Sequence, residues 1–174
     1  MKKLIIGISG ASGISLAEKF ISYLPKEIET FIIHSAHAKI VLEKEHNRHF
    51  FDNADIYESV ASGSFQTDAM IILPCSMNTL AKISVGIADN LITRAASVML
   101  KERRKLILAP REMPYSSIAL ENMLKLSQNG AIIAPAVAGY YAKIKTLEDM
   151  EKFFIGKWFD LLGIEHRLYQ RWEG

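Results

Sequence analysis

The sequence predicts an α/β domain with a doubly wound, mostly parallel sheet between two helical layers, and three observations predict it. Short apolar runs of β-forming residues alternate along the chain with segments of helical periodicity. The runs are apolar on both sides, the pattern of strands covered on both faces. A turn with three glycines, GISGASG at residues 7–13, follows the first run and opens the first helical segment.

Each element follows in chain order. KLIIGI makes Lys3–Ile8 a strand, Ile14–Leu24 is a helix, and ETFIIH makes Glu29–His34 a second strand, which completes a βαβ unit. A helical patch spans Ala36–Glu45. A strand at Ala69–Leu73 leads into helices over Asn78–Ser84 and Asp89–Lys101, and a further strand covers Lys105–Ala109. A helix at Ser116–Asn129, a strand at Ala131–Ala134 and a last helix at Leu147–Leu162 complete the series. Nothing repeats and no Pro/Ser/Gly-rich linker interrupts the chain, so residues 1–174 are read as one Rossmann-like or flavodoxin-like domain.

Composition excludes several classes. With 174 residues, 49% of them hydrophobic, the chain is long enough to bury a substantial core. A net charge of +2 with acids and bases interleaved gives no nucleic-acid footprint. No stretch approaches the roughly 18 apolar residues of a membrane span. The start, MKKLIIGIS, meets a glycine turn where an export signal would have a cleavage site. The lone Cys75 allows no internal disulfide, in keeping with a reducing cytoplasm.

Ligands of such sheets bind beyond the carboxyl ends of the strands. There the chain places Ser9 to Gly13, then Ser35, then Pro74 to Thr79, then Pro110-Arg111-Glu112. Hydroxyls, amides at helix starts and one guanidinium suit a phosphate and the polar edge of a ring. A glycine turn alone is a weak signal, because tight strand-to-helix bends use glycine for geometry. A dinucleotide site would want G-x-G-x-x-G and an acid closing the second strand, where this chain has His34 and Ser35. FMN, with one phosphate and no second ribose, fits better. His34 with His37 and His46 with His49 have the spacing of metal pairs, yet Cys75 is meagre support and surface histidines are the simpler reading.

GISGASG, the long segment SGSFQTDAMIILPCSMNTLAKISVGIADNLITRAASVMLKERRKLILAPREMPYSSIALENMLKLSQNGAIIAPA and the closing RLYQRW resemble the UbiX-type flavin prenyltransferases, formerly described as aromatic-acid decarboxylases. The resemblance covers nearly the whole chain. It implies a metal-independent homo-oligomer, typically a dodecamer, that transfers a dimethylallyl group from dimethylallyl phosphate to FMN and hands prenylated FMN to a UbiD-type decarboxylase. By resemblance, FMN falls to Gly10, Ala11, Ser12, Ser35, Ser76, Met77, Asn78, Thr79 and Arg111. The prenyl phosphate falls to Arg94, Lys101, Glu112, Tyr141 and Lys157, with Phe65 and Trp172 as aromatic walls for a cation. Cations around a departing phosphate make electrostatic sense, and Glu112, as an un-ionised acid, is the implied proton donor to it. Glu45, with Ser12, is implied for the remaining proton traffic.

Each assignment has a plain structural competitor. Arg94 and Lys101 lie seven apart on one helical face, where bases often serve solubility. Glu45 sits in the charged stretch LEKEHNRH, Tyr141 and Trp172 suit packing, and Cys75 is read as a small buried residue. The chain also departs from the family pattern. Lys157 replaces the usual Arg, Ala138-Gly139 replaces a proline-bearing loop, and Ala119 replaces a His. A flavin-dependent decarboxylase of the phosphopantothenoylcysteine type is disfavoured by PREMPYSSI, where that class resembles P-x-M-N-x-x-M-W. A non-catalytic flavin-binding subunit is the other alternative. The apolar residues of MEKFFIGKWFDLLGI exceed one helical face, so residues 147–174 are expected to contribute to subunit contacts.

Overall fold

The computed structural model describes residues 1–10, 12–34 and 47–172, so the helical patch expected at Ala36–Glu45 lies outside the described residues. The chain divides into two compact units, Lys2–Pro135 and Ala136–Gly174 with Met1.

The first unit is a parallel sheet of six strands: β1 (Lys3–Ile8), β2 (Glu29–His34), β3 (Arg48–Asp52), β4 (Ala69–Cys75), β5 (Lys105–Pro110) and β6 (Ile132–Ile133). Their order is β3-β2-β1-β4-β5-β6, and every pair is parallel. The α-helices of this unit among the described residues are α1 (Ile14–Ser22), α2 (Met77–Ser84), α3 (Leu91–Lys101) and α4 (Ser117–Gln128). The doubly wound α/β class is as expected.

Burial explains why the central strands are so uniformly apolar. All seven residues of β4 are buried, as are five of the six in β1. Alternate side chains face opposite layers. Ile5, Ile33, Met70, Ile72, Leu106 and Leu108 share one core with α2, α3 and α4 through Leu80, Ile92, Met99 and Met123. Gly7 lets α3 approach this sheet, because a Cβ there would stand 3.2 Å from Cγ2 of Ile92.

One strand escapes the sequence reading. β3 is RHFFD, half exposed along its length at the sheet edge, so its periodicity is that of a charged surface stretch. Its pairing with β2 gives His49 a place: the ring stacks on Phe31 at 4.9 Å and its Nε2 lies 3.1 Å from Glu29 Oε1. Smaller corrections concern boundaries. α1 stops at Ser22, β4 runs on to Cys75, α3 begins at Leu91 behind an Asn90 cap, and β6 shrinks to two residues.

The second unit holds a 3-10 turn at Tyr140–Ala142 and the helix α5 (Leu147–Leu162). Thr146 and Asp149 form a reciprocal capping box at its start, and Gly163 ends it in the left-handed conformation at φ 74°. Phe153, Phe154, Ile155, Trp158, Phe159 and Leu162 are all buried within the chain itself. Among the described residues, the exposed aromatics of this unit are Tyr140, Tyr141 and Trp172.

Gly7→Val should overpack the sheet–α3 contact and cost about 1–3 kcal/mol with an unchanged denaturant slope, measured by urea unfolding.

Candidate functional site

The strand order changes direction between β1 and β4, where β2 and β3 lie to one side and β5 and β6 to the other. A crevice opens at the carboxyl ends of that central pair. Buried Ser9 closes its floor: its Oγ donates to the Pro74 carbonyl at 2.9 Å and accepts the Ser76 N–H at 2.8 Å. The Ser9 N–H also reaches the Pro74 carbonyl, at 3.3 Å. The sequence placed Ser9 at this strand end without giving it a specific role, and the structure supplies one as the tie between the two loops.

Above that floor, α1 starts on Gly13, at φ 113°, with no side chain capping it. α2, α3, α4 and α5 are each capped by a side chain, from Ser76, Asn90, Ser116 and Thr146. The first amides of α1 thus face outward beside exposed Gly10 and Ser12, an arrangement suited to an anion. Ser76 and Thr79 are committed locally: the Ser76 hydroxyl accepts the Thr79 N–H at 3.2 Å and donates to the Thr79 hydroxyl at 3.0 Å. Their conformation orients the amides at the head of α2, with Met77 half buried and Asn78 exposed. The Arg111 N–H donates to the Cys75 carbonyl at 3.2 Å, which sets the exposed guanidinium at the same edge. Cys75 itself is buried, and burial pushes its thiol up to about 12, so no thiolate forms at neutral pH.

Glu112 shares a cleft of about 460 Å³ with Met77, Asn78, Ala81, Ser116 and Asn122. Its Oε1 accepts the Met113 N–H at 3.1 Å. Burial, and then the Glu112 carboxylate, raises the Tyr115 hydroxyl above its ordinary value. The larger cleft, of about 560 Å³, lies at the far ends of α3 and α4, among Arg103, Arg104 and Asn129, away from this chemistry.

Arg94 is exposed on the first turn of α3, which Asn53 anchors beside the end of β3 by accepting the Leu91 and Ile92 N–H groups. Lys101 closes the same helix at the other end and pairs with Glu102. Phe65 also lies at the amino edge of the sheet: its ring meets Phe31 at 5.1 Å and the Lys3 ammonium at 4.9 Å, and its carbonyl accepts from Arg104. One chain therefore gathers Gly10, Ser12, Ser76 to Thr79, Arg111 and Glu112 at the carboxyl edge, and sets Phe65 and Lys101 at the opposite one.

In the second unit the Tyr141 and Trp172 rings meet edge to face at 6.0 Å, and Lys157 is exposed on α5. Sequence reasoning missed Asp160. Its carboxylate accepts from Arg171 at 2.6 and 3.2 Å and from the Tyr169 hydroxyl at 2.6 Å, and Nε2 of His166 lies 3.0 Å away. Burial opposes ionisation of Asp160, but Arg171, Tyr169 and His166 outweigh it and hold the carboxyl down at about 2. Burial, then the bond to Asp160, pushes the Tyr169 hydroxyl up to about 12.

Ala11, Ser35 and Glu45 lie outside the described residues, as do His37 and His46 of the histidine pairs. Among the described residues no three His, Cys, Asp or Glu side chains are grouped to hold a metal ion.

A flavoprotein family model matches residues 1–159. The flavin prenyltransferase UbiX of Helicobacter pylori is 52% identical over 183 aligned positions, covering 98% of each chain. The chain belongs to the UbiX flavin prenyltransferase family. Among solved UbiX structures, a dodecameric FMN-dependent UbiX-like decarboxylase from Escherichia coli O157:H7 is 41% identical and superposes with a TM-score of 0.92, over 99% of this chain and 100% of that one. AnUbiX in complex with FMN and dimethylallyl pyrophosphate is 36% identical with a TM-score of 0.92, over 99% of this chain and 98% of that one.

Two outcomes test this geometry. Ser9→Ala strips the Ser76 N–H of its acceptor and should cost about 1–3 kcal/mol in urea unfolding. Because the Asp160 carboxyl sits at about 2 rather than the ordinary 3.8, its stabilisation is full above pH 4, wanes as pH falls and is gone below about 2. The advantage over Asp160→Asn should be about 2 kcal/mol near pH 6 and vanish near pH 2 in thermal melts.

Proposed function

We propose that the protein is a flavin prenyltransferase that moves the dimethylallyl group of dimethylallyl phosphate onto N5 and C6 of reduced FMN, making prenylated FMN for a UbiD-type decarboxylase. The observation that carries this reading is Glu112: a carboxylic acid in the wall of the cleft that Met77 and Asn78 of the flavin loop also line. The residues present fit FMN. The open amides of α1 with Gly10 and Ser12 suit its single phosphate, to which the family pattern adds Ala11 and Ser35, and the head of α2 with Arg111 suits its ring.

Reduced FMN supplies the electron-rich ring that accepts the five-carbon unit. The chain does the rest. Arg94, Lys101 and Lys157 offset the charge that builds on the departing phosphate as the allylic C–O bond breaks, and Tyr141 donates a hydrogen bond to it. Glu112 passes a proton to that phosphate, while Phe65 and Trp172 present ring faces that shield the developing allyl cation from water. Ser12 and Glu45 would carry the protons of ring closure, one added to the prenyl double bond as its far carbon bonds to C6 and one taken from C6. No metal takes part in this scheme.

Phe65 and Lys101 sit a strand length, roughly 20 Å, from the cradle of their own chain. They join a site at the carboxyl edge from a second copy, which supports a homo-oligomer with sites between subunits, a dodecamer in our reading, with residues 147–174 among the contacts. All 174 residues then act as one functional domain. We place the protein in the cytoplasm. No described helix is long and apolar enough to cross a membrane, and the lone cysteine is a buried thiol.

The deciding experiment incubates the protein anaerobically with reduced FMN and dimethylallyl phosphate and weighs the flavin. A gain of one five-carbon unit is expected; an unchanged flavin would overturn the reading in favour of a decarboxylase or a flavin carrier. Glu112→Gln should lower kcat by about 100-fold with FMN affinity unchanged.

A further inference from the structure

The most concentrated polar cluster outside the flavin cradle is the one on α5, and its construction is directed at a surface. Asp160 meets Arg171 fork to fork, Nη2 to Oδ1 and Nη1 to Oδ2, while Oδ2 also accepts the Tyr169 hydroxyl. The His166 side chain is 4% exposed, and its Nδ1 accepts the Leu168 N–H at 3.1 Å, which leaves the proton of the neutral ring on Nε2, facing Asp160. Three residues of the terminal segment thus converge on one carboxylate. The helix beneath is bare: a Cβ on Gly156 would stand 2.5 Å from Cδ1 of Tyr169 and 2.7 Å from Cε1 of His166. Glycine, a poor helix former, is needed at this point so that the two rings can lie on the backbone.

What the clamp delivers is an aromatic row. Tyr169 meets Phe153 at 5.0 Å, Phe153 meets Tyr141 at 5.8 Å, and Tyr141 meets Trp172 at 6.0 Å, each inclined or edge to face. Lys157 lies on the same helical stripe, four residues after Phe153 and three before Asp160. Yet Trp172 stays 73% exposed and Tyr141 43% exposed in the chain. Burial of the row's end is therefore not what the polar bonds achieve. They fix Arg171 and Tyr169, and so the segment that carries Trp172 to the ring of Tyr141, while both of those rings remain available.

We propose that Asp160 is a positioning residue for the prenyl-donor site: by drawing Tyr169 and Arg171 back onto α5, it holds Trp172 against Tyr141 and so pre-organises the surface that receives the donor. This rests on the assignment of Tyr141, Lys157 and Trp172 to the donor, made above. Pre-organisation acts chiefly on donor binding, because a disordered terminal segment has to be ordered each time the donor enters.

The test uses the full chain with reduced FMN and varied dimethylallyl phosphate, comparing Asp160→Asn, Arg171→Ala and Tyr141→Phe. Arg171 is 53% exposed, so its loss breaks the clamp from the solvent side without opening the interior. Both clamp variants should raise KM for the donor by about tenfold with kcat within about twofold, at unchanged FMN affinity. Trypsin should also cleave them faster after Arg167. If Tyr141→Phe raises KM while both clamp variants keep the wild-type KM, the donor site stands and the clamp proposal is overturned. If all three keep the wild-type KM, the donor assignment falls and takes the proposal with it. A fall in kcat alone in the clamp variants also refutes positioning of the donor.

Discussion

The hydroxyl of Ser9 ties together the ends of β1 and β4, and the candidate site depends on that tie. The two strands end at the place where the sheet reverses its winding, so their loops have no covering helix between them and diverge. A buried side chain that donates to one loop and accepts from the same loop two residues later keeps them in register. The amides at the heads of α1 and α2 are aimed by this junction. Of those two helix starts, only α2 satisfies itself with a side chain, so an anion is the natural partner of the other.

A second constraint follows from the parallel sheet. Crossover helices run antiparallel to the strands, so a helix that begins at the carboxyl edge must end at the amino edge. Arg94 and Lys101 share one exposed stripe of α3 and still face opposite rims, about 10 Å apart along the axis.

The second unit solves a different problem. A terminal segment that follows a helix-ending glycine has little apolar surface with which to hold itself down, and its ordering costs entropy at every residue. One carboxylate with a guanidinium, a phenol and an imidazole around it supplies directional bonds, and its depressed pKa keeps the charge in place across the ordinary pH range. The bare backbone at Gly156 makes room for the rings that carry those donors.

What the sequence by itself determined was the class of fold and the rim that matters. KLIIGI and AMIIL are apolar on both faces, as strands covered on both sides are, and polar residues follow the runs at the strand ends where ligands of such sheets sit. The family motifs named the chemistry. The tertiary structure decided the rest, because it turns on pairs distant in sequence. RHFFD became a strand only through its pairing with β2, since an edge strand has too little buried surface to show a period. Ser9 looked like one serine among several until Pro74 and Ser76 were beside it. Asp160 looked like a helix charge until residues 166–171 folded back onto it. Phe65 and Lys101 were drawn to the site by motif, and the sheet set them at the other rim. Periodicity reports which way a side chain faces within its own element, and it carries no information about which end of a neighbouring element it meets.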